Sequence, residues 1–368
     1  MIRLATVIDT FEADFLAQYR HRLTSEHCHA LAAIKQCRTQ ASPMMQIQCT
    51  GCAQQKLVPH SCGHRHCPHC QHHESQQWLE RQLKKQVPAE YFLLTFTLPA
   101  EFRALFFAHQ RVAYDLLMRC CWETVRAFSQ NDKQLQGTPG AIAVLHTHTR
   151  QLDYHPHVHL VMPAAAVDGE RKRWRTKRRK TKGGYLFNHK ALAKVFRAKM
   201  LSGIEAAGLT LPYSHPEKWV VDCKSVGSGE KALIYLGRYL YRGVIAEKDI
   251  VAVDGGQVNF RYRNAKTGRM ERRTVSGAQF LWLVLQHVLP KGFRRARNFG
   301  FLHHNCKRLI ALLHLLLRFD PGRALAWVKA RAPILCACCG AVMVMVKTRI
   351  RSGLSGSMPV PIVTQGVH

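Results

Sequence analysis

Three apolar stretches in the middle of the chain have the length and residue types of β-strands. Residues 91–98 are mostly aromatic and branched, and Pro99 ends the run, which predicts a buried strand. Residues 140–148 predict a second strand. The segment from His155 to Met162 alternates imidazoles with apolar residues and then becomes fully apolar, so it predicts a third strand. We expect the second and third strands to pair as a hairpin.

Other stretches have the spacing of amphipathic helices. Phe11, Phe15 and Tyr19 recur at helical intervals, and we expect short helices up to residue 40 that pack against the module that follows. A long helix is predicted at residues 101–130, and a buried helix at residues 280–289. Helical spacing also marks residues 192–200 and 232–242.

The charge of the chain narrows its class of partner. The chain has 54 Lys and Arg residues and 23 Asp and Glu residues, which gives a formal net charge of +31. Such an excess causes self-repulsion unless a polyanion is the usual partner, so nucleic acid is the first candidate and an anionic membrane surface a distant second. The 47% of hydrophobic residues is enough for a packed core and excludes a disordered basic tail.

The fourteen cysteines favour metal binding in a reducing compartment. The N-terminus lacks the apolar core of a signal peptide, and residues 309–317 and 334–346 are too short to span a bilayer. We therefore expect a cytoplasmic, nucleoid-associated protein without a membrane partner. Grouped cysteines in that compartment hold metal more often than they form disulfides.

Two cysteine knuckles near the N-terminus predict a structural zinc site. Cys49 and Cys52 form the first, and Cys67 and Cys70 form the second after a loop of fourteen residues. The alternatives are a mixed set of cysteines and nearby histidines, or unliganded thiols. Cys28 and Cys37 are interpreted as buried thiols.

A further knuckle lies near the C-terminus. Cys336 and Cys339 have no second knuckle after them, and one hypothesis is that they borrow Cys306, His303 or His304 for a second zinc. The segment beyond Lys347 is rich in glycine and serine, which predicts a flexible tail.

Alternating histidines on the third strand predict a metal site. Residues two apart project to the same face, so His157 and His159 can converge on one divalent cation, and His155 joins them if the strand starts early enough. A solvated strand edge is the alternative. His146 and His148 share a face of their own strand and are candidates for a further ligand.

A pair of tyrosines suggests a nucleophile. Tyr235 and Tyr239 lie one helical turn apart and point the same way, as do Arg238 and Arg242. Taken alone, the tyrosines are half-buried core residues. Beside a metal that polarises a phosphodiester, a tyrosine hydroxyl can attack the phosphorus and form a 5′-phosphotyrosine with a free 3′-OH.

A dense basic run follows the third strand. Eight basic residues and Trp174 lie within residues 171–180, where positive charge can bind phosphates and the indole can stack on an unpaired base. A solvated mobile loop is the alternative. The predicted DNA-binding residues are Arg171, Lys172, Arg173, Trp174, Arg175, Lys177, Arg178, Arg179, Arg238 and Arg242.

In this order the motifs resemble those of the HUH single-strand transposases of bacterial insertion sequences, in the two-tyrosine branch that moves by a rolling-circle-like route. The resemblance covers about residues 30–305, and the ordered combination is more specific than any one motif. The matching segments are residues 61–71, 96–99, 145–147, 155–159, 235–239 and 287–293.

The resemblance implies the chemistry and its residues. His157 and His159 are then ligands of a catalytic Mg²⁺ or Mn²⁺, and Tyr235 and Tyr239 are the nucleophile pair. The third ligand is not fixed by the resemblance, and we expect His155. The enzyme implied is a strand-transferase that nicks and rejoins single-stranded DNA at element ends and target sites, with Zn²⁺ at the N-terminal knuckles.

The expected fold class is α+β. Residues 1–88 form a small helical zinc-knuckle domain, and residues 89–305 an HUH catalytic domain whose central antiparallel sheet is flanked by helices. This domain carries the basic loop 170–182 and a hairpin at 250–275. Residues 306–368 contribute a helix, the C-terminal knuckle and the tail.

Two other functions compete with transposition. A plasmid replication initiator or a relaxase uses the same metal and tyrosine chemistry, although the zinc module and the close tyrosine pair favour the transposase. A zinc-containing DNA-binding protein without catalysis is the third reading, and a metal requirement for strand cleavage separates it from either enzyme.

Overall fold

The fold is described from a computed structural model of the chain. It covers residues 1–70, 72–177, 185–240, 243–325 and 333–350. Several residues predicted to contact DNA lie outside the described part, namely Arg178, Arg179, Arg242 and the side chain of Arg238.

Helices alternate with strands along the chain. The helices are α1 (Leu4–Tyr19), α2 (Ser25–Gln36), α3 (His72–Leu83), α4 (Arg103–Ala108), α5 (Gln110–Asn131), α6 (His189–Ala206), α7 (Glu230–Leu240), α8 (Gly277–Leu285), α9 (Lys307–Leu316) and α10 (Gly322–Leu325). The strands are β1 (Met44–Cys49), β2 (Gln55–Pro59), β3 (Tyr91–Thr97), β4 (Thr138–His148), β5 (Tyr154–Pro163), β6 (Ala165–Asp168), β7 (Arg173–Thr176), β8 (Val220–Ser225), β9 (Ile250–Asp254), β10 (Gln257–Arg263), β11 (Met270–Ser276), β12 (Ala296–Gly300), β13 (Ile334–Leu335) and β14 (Val342–Ile350).

A central antiparallel sheet confirms the expected α+β class. Its strand order is β7-β6-β4-β5-β3-β8, and β12 also pairs with β4. The predicted hairpin of β4 and β5 is present, with His146 opposite His157. Every pairing in this sheet is antiparallel.

The two faces of the sheet pack against different helices because successive side chains point to opposite sides. On β5, Val158 and Leu160 join the large core formed with α5 and α6. Val161 lies on the other side, in a second core that includes Leu233 and Leu236 of α7. The imidazoles of His157 and His159 alternate with the first set, so they lie on the side of the sheet that faces α7.

The long helix predicted at residues 101–130 is interrupted. A 3₁₀ turn at Ala100–Phe102 precedes α4, and the backbone of His109 leaves the helical conformation before α5 begins. Among the described residues, no helix combines the length and apolar character that crossing a bilayer requires.

The N-terminal helices pack mainly against a distant part of the chain. Phe15 of α1 is fully buried, and Tyr19 stacks on Trp282 of α8 with the ring centroids 5.2 Å apart. This core also includes Val258 and Phe260 of the predicted hairpin at 250–275, which β9, β10 and β11 form as a three-stranded sheet. The zinc module is therefore only one of the surfaces that these helices cover.

A third sheet joins the two ends of the described chain. Its order is β13-β14-β1-β2, and β1 pairs with β14 in antiparallel fashion over Met44 to Cys49. The predicted flexible tail begins as part of β14, which runs to Ile350. Strands from the predicted N-terminal domain, residues 1–88, and from the predicted C-terminal segment, residues 306–368, therefore share one sheet.

Candidate functional site

Three imidazoles meet on two neighbouring strands of the central sheet. His146 comes from β4, and His157 and His159 come from β5. Their ring nitrogens lie within 4.8 Å of one another, and we call these three residues the histidine cluster. His146 lies opposite His157 and Val144 lies opposite His159, so the antiparallel register itself brings the three rings together.

Hydrogen bonds fix which nitrogen two of these rings can offer. The Nδ1–H of His157 donates to the carbonyl of His155 at 2.8 Å, and Nδ1 of His159 lies 3.2 Å from the hydroxyl oxygen of Thr95. Both rings therefore keep Nε2 for another partner. Nε2 of His146 is buried and has no hydrogen-bond partner among the described residues.

The donor set fits a divalent metal ion. A buried polar atom without a partner costs free energy, and a cation held by three neutral imidazoles removes that cost. Burial lowers the pKa of His157 to about 3 and that of His159 to about 4. Burial and the neighbouring imidazoles hold the pKa of His146 well below its usual range. All three rings are thus neutral near pH 7, which is the state that binds metal.

Both predicted tyrosines lie on the face of α7 that meets this cluster. The ring of Tyr239 stacks on His146 at 3.3 Å between centroids, and its hydroxyl is buried. Tyr235 is one turn earlier, 51% exposed, with its ring centroid 6.3 Å from that of His159. The tyrosines therefore differ in access to solvent, although both border the histidines.

Arg295 fixes the position of Tyr239. Its guanidinium lies 4.8 Å from the centre of the Tyr239 ring and donates to the carbonyls of Leu145 and Leu240. Burial raises the pKa of Tyr239, and the nearby Arg295 opposes that rise in part. The Tyr239 hydroxyl is therefore protonated at neutral pH.

The structure places the expected third ligand, His155, apart from His157 and His159. His155 is outside the histidine cluster, and its Nδ1 accepts a hydrogen bond of 2.9 Å from Arg103. His146 lies in the cluster because β4 pairs with β5 and places the His146 ring beside those of His157 and His159. His148, the other candidate on β4, is separated from His146 by a register shift; its ring stacks on Tyr239 and lies at a tilt beside His287.

The structure also divides the predicted cysteine quartet. Cys67 and Cys70 lie with Cys37 and Cys62, and this group is called the inner cysteine cluster. Cys49 and Cys52 lie instead with Cys336 and Cys339, and this group is called the terminal cysteine cluster. The cause is the pairing of β14 with β1, which places the C-terminal knuckle beside the first N-terminal knuckle.

The inner cysteine cluster changes the role expected for Cys37. Its sulfur lies 3.3 Å from that of Cys70, and Cys62 lies 3.5 Å from Cys70, so Cys37 belongs to a group of possible ligands. Cys37 is buried, as expected, whereas Cys28 is exposed and lies outside the group.

The described part of the basic run is more structured than a loop. Residues 173–176 form β7 at the edge of the central sheet. Trp174 is half-buried with its ring 5.4 Å from that of Phe301, so it is not free to stack on a base in this conformation. Several of the cations are paired with carboxylates, Arg171 and Arg175 with Asp168 and Lys177 with Asp132.

Sequence reasoning missed two residues that hold the site. Thr95 supports His159 and was read only as part of an apolar strand, although a polar residue in such a strand was a usable signal. The position of Arg295 beside Tyr239 depends on a tertiary contact that no local pattern shows.

Comparisons with known proteins identify the family of the chain. Residues 140–309 match a family model described as "Putative transposase", and residues 7–98 match one described as "Transposase zinc-binding domain". "Putative transposase y4qJ" of Sinorhizobium fredii is 31% identical over 81% of this chain and 80% of that protein. "Transposase for insertion sequence element IS801" of Pseudomonas savastanoi pv. phaseolicola is 28% identical over 83% and 78%. The chain belongs to the insertion-sequence transposases that carry this N-terminal zinc-binding domain.

Proposed function

We propose that this transposase cuts and rejoins single-stranded DNA through a tyrosine-linked intermediate at its element's ends. The observation that carries the proposal is the contact of α7 with the histidine cluster, where Tyr239 stacks on His146 and Tyr235 borders His159. A metal site and two nucleophile candidates share one surface. The family membership supplies the DNA substrate, and the order of events is rolling-circle-like.

The histidine cluster would hold Mg²⁺ or Mn²⁺ through His146, His157 and His159. A divalent ion there would withdraw charge from the nonbridging oxygens of a phosphodiester. The ligand rings are oriented by hydrogen bonds: Thr95 holds His159 and the His155 carbonyl holds His157, so that the Nε2 of each ring faces the site.

The transfer conserves the number and type of bonds. A tyrosine oxygen bonds to the phosphorus as the bond from phosphorus to the 3′ oxygen breaks, which leaves a 5′-phosphotyrosine and a free 3′-OH. The proton lost from the tyrosine is balanced by the one gained at the 3′ oxygen. Because one phosphodiester replaces another, the 3′-OH of a new strand can reverse the reaction and rejoin the DNA elsewhere.

We assign the first attack to Tyr235. Half of its side chain is exposed, so DNA can reach its hydroxyl in the conformation described. The Tyr239 hydroxyl is buried against the histidines, and it needs a local movement of α7 before it can attack. The two tyrosines would then act in turn on two strand ends.

DNA would extend from the site across exposed cations. Lys172 and Arg173 are exposed and form no ion pair among the described contacts, and Arg263 and Arg272 are exposed on the hairpin sheet. The β6–β7 pair adjoins Thr138 and Pro139, at the end of β4 away from His146. That separation is roughly 20 Å along the strand, enough for several nucleotides.

The inner cysteine cluster would hold the structural Zn²⁺ of the N-terminal domain.

A covalent adduct tests the proposal. Purified full-length protein is incubated with labelled single-stranded oligonucleotides that cover the element ends, with Mn²⁺ or Mg²⁺, and products are resolved on denaturing gels with mass analysis. We expect an adduct that Tyr235→Phe and His157→Ala abolish. Tyr213→Phe is the matched control, since the Tyr213 side chain is fully exposed.

The contrary result is equally clear. Salt-sensitive binding without an adduct, in a protein that retains its zinc, would support the non-catalytic DNA-binding reading. An adduct that survives both Tyr235→Phe and Tyr239→Phe would place the nucleophile elsewhere.

A further inference from the structure

Four cysteines from distant parts of the chain meet beside the N-terminal sheet. Cys49 ends β1 and Cys52 lies in the turn after it, and Cys336 and Cys339 lie in the turn between β13 and β14. Their four sulfurs lie within 4.8 Å of one another. The sulfurs of Cys49 and Cys339 are 3.4 Å apart, and those of Cys52 and Cys336 are 3.7 Å apart.

These separations correspond to ligands around a common ion. Sulfurs joined in a disulfide are about 2.05 Å apart. Four thiolates about 2.3 Å from a tetrahedral zinc are about 3.8 Å from one another. The observed distances are close to the second value, and all four cysteines are free.

The backbone around the sulfurs is shaped as two ligand-bearing turns. The N–H groups of Gly51 and Cys52 donate to the sulfur of Cys49 at 3.3 and 3.4 Å, and the N–H of Gly340 donates to the carbonyl of Cys336. Such donors stabilise a thiolate ligand. A Cβ on Gly51 would lie 2.9 Å from that of Ala341, so the two turns approach too closely for a side chain there.

We propose that the terminal cysteine cluster binds a second structural zinc ion, separate from the zinc of the inner cysteine cluster. The match to the zinc-binding domain covers residues 7–98, so it does not account for ligands at 336 and 339. This second ion links the N-terminal knuckle to the C-terminal knuckle. It fixes β14 against β1, where the N–H of Thr50 donates to the carbonyl of Val342 at 3.0 Å.

A zinc ion at this site would stabilise the pairing of β14 with β1. β14 is exposed along most of its length, with Val344, Met345 and Val346 all largely open to solvent. Little apolar burial holds this strand in place, so metal ligation supplies what packing does not. Removing the ion would release β14 while the central sheet stays folded.

Metal analysis of variants of the full-length protein tests the proposal. Zinc per chain is measured by mass spectrometry of the element in wild type and in Cys336→Ser/Cys339→Ser. We expect the double variant to lose one zinc ion per chain. Cys338→Ser is the matched control, since Cys338 lies between the two ligands in the same turn but outside the cluster, and it should lose none. Unchanged zinc in the double variant would overturn the proposal.

A titration of the unmodified protein gives a second, independent test. Metal-free wild type is titrated with Co²⁺ under reducing conditions, and the absorption from thiolate-to-cobalt charge transfer is followed. The histidine cluster contains no thiolate and is silent in this band. We expect the band to grow up to two equivalents per chain. Saturation at one equivalent would refute the second site, whatever the outcome of the DNA-cleavage assay.

Discussion

The hydrogen bonds around each imidazole determine what the histidine cluster can do. His157 is held by a backbone carbonyl, which no substitution of a neighbouring side chain removes, whereas His159 depends on the hydroxyl of Thr95. Nε2 of His146 is buried and has no hydrogen-bond partner in the described part of the chain, so its burial costs free energy unless a metal ion occupies the site. The three histidines should therefore respond differently to mutation.

Replacement of His146 should be far more harmful than replacement of His155. We expect His146→Ala to lower the rate of DNA cleavage by at least about 100-fold, because one of three metal ligands is lost. His155→Ala keeps the backbone carbonyl that orients His157, so its loss should stay below about 10-fold. Single-turnover cleavage rates at fixed Mn²⁺ measure both. Equal losses would contradict the assignment of His146, rather than His155, as the third ligand.

Thr95 offers a test of ligand orientation. Thr95→Val removes the hydroxyl beside His159 but keeps the shape of the side chain, and we expect the Mn²⁺ concentration for half-maximal cleavage to rise about 10–100-fold. The rate at saturating Mn²⁺ should change little. Thr95→Ser retains the hydroxyl and should behave as wild type. A loss of maximal rate without a change in metal dependence would contradict this role.

At the scale of elements, the contact of α1 with α8 organises the N-terminal half. Gly277 begins α8, and a Cβ there would lie 2.1 Å from the ring of Phe11, so the two helices touch where no side chain fits. Glu247 adds a polar link, since its carboxylate accepts from the N–H of Leu4 and pairs with His69 of the zinc-binding domain. The N-terminal domain is thus fixed to residues far along the sequence.

Crowding at Gly277 should be measurable as stability. We expect Gly277→Ala to lower the free energy of unfolding by about 1–3 kcal/mol through overpacking against Phe11. Urea denaturation followed by tryptophan fluorescence reports it, because Trp282 lies in the same core. Gly169→Ala serves as the control, since a Cβ at Gly169 meets nothing within 4 Å. A stable Gly277→Ala protein would show that the helices separate easily.

Local patterns predicted the elements well and their long-range partners poorly. The two-residue alternation of β5 was enough to place His157 and His159 on one face, because that relation is internal to a strand. The proximity of His146, rather than His155, to His157 and His159 depends on the register between two strands. The grouping of Cys37 with Cys62, Cys67 and Cys70 depends on the position of the end of α2 beside the knuckle. Neither relation is encoded in local spacing.

At the scale of the whole molecule, only some of the cations behind the net charge of +31 are available to bind DNA phosphates. Arg171, Arg175 and Lys177 are paired with carboxylates, so part of the basic run neutralises the protein's own acids. Lys172 and Arg173 are exposed and more available to phosphates. The number of basic residues in the sequence therefore overstates the number that can contact DNA.

Salt dependence distinguishes available from neutralised cations. For single-stranded DNA the slope of log K against log salt changes by about 0.7 per phosphate contact. We expect Lys172→Ala/Arg173→Ala to reduce the magnitude of that slope by about 1.4. Arg171→Ala should reduce it less, because Arg171 already pairs with Asp168. Fluorescence anisotropy with an element-end oligonucleotide at several salt concentrations measures this, and an unchanged slope in the double variant would remove this strip from the DNA path.

The pairing of β1 with β14 also has a consequence for synthesis on the ribosome. The two strands are roughly 300 residues apart, and translation at 5–20 residues per second separates their emergence by roughly 15–60 s. During that interval one edge of β1 lacks its partner, and Cys49 and Cys52 lack their opposing knuckle. The N-terminal sheet, although made first, is therefore among the last parts of the protein to mature.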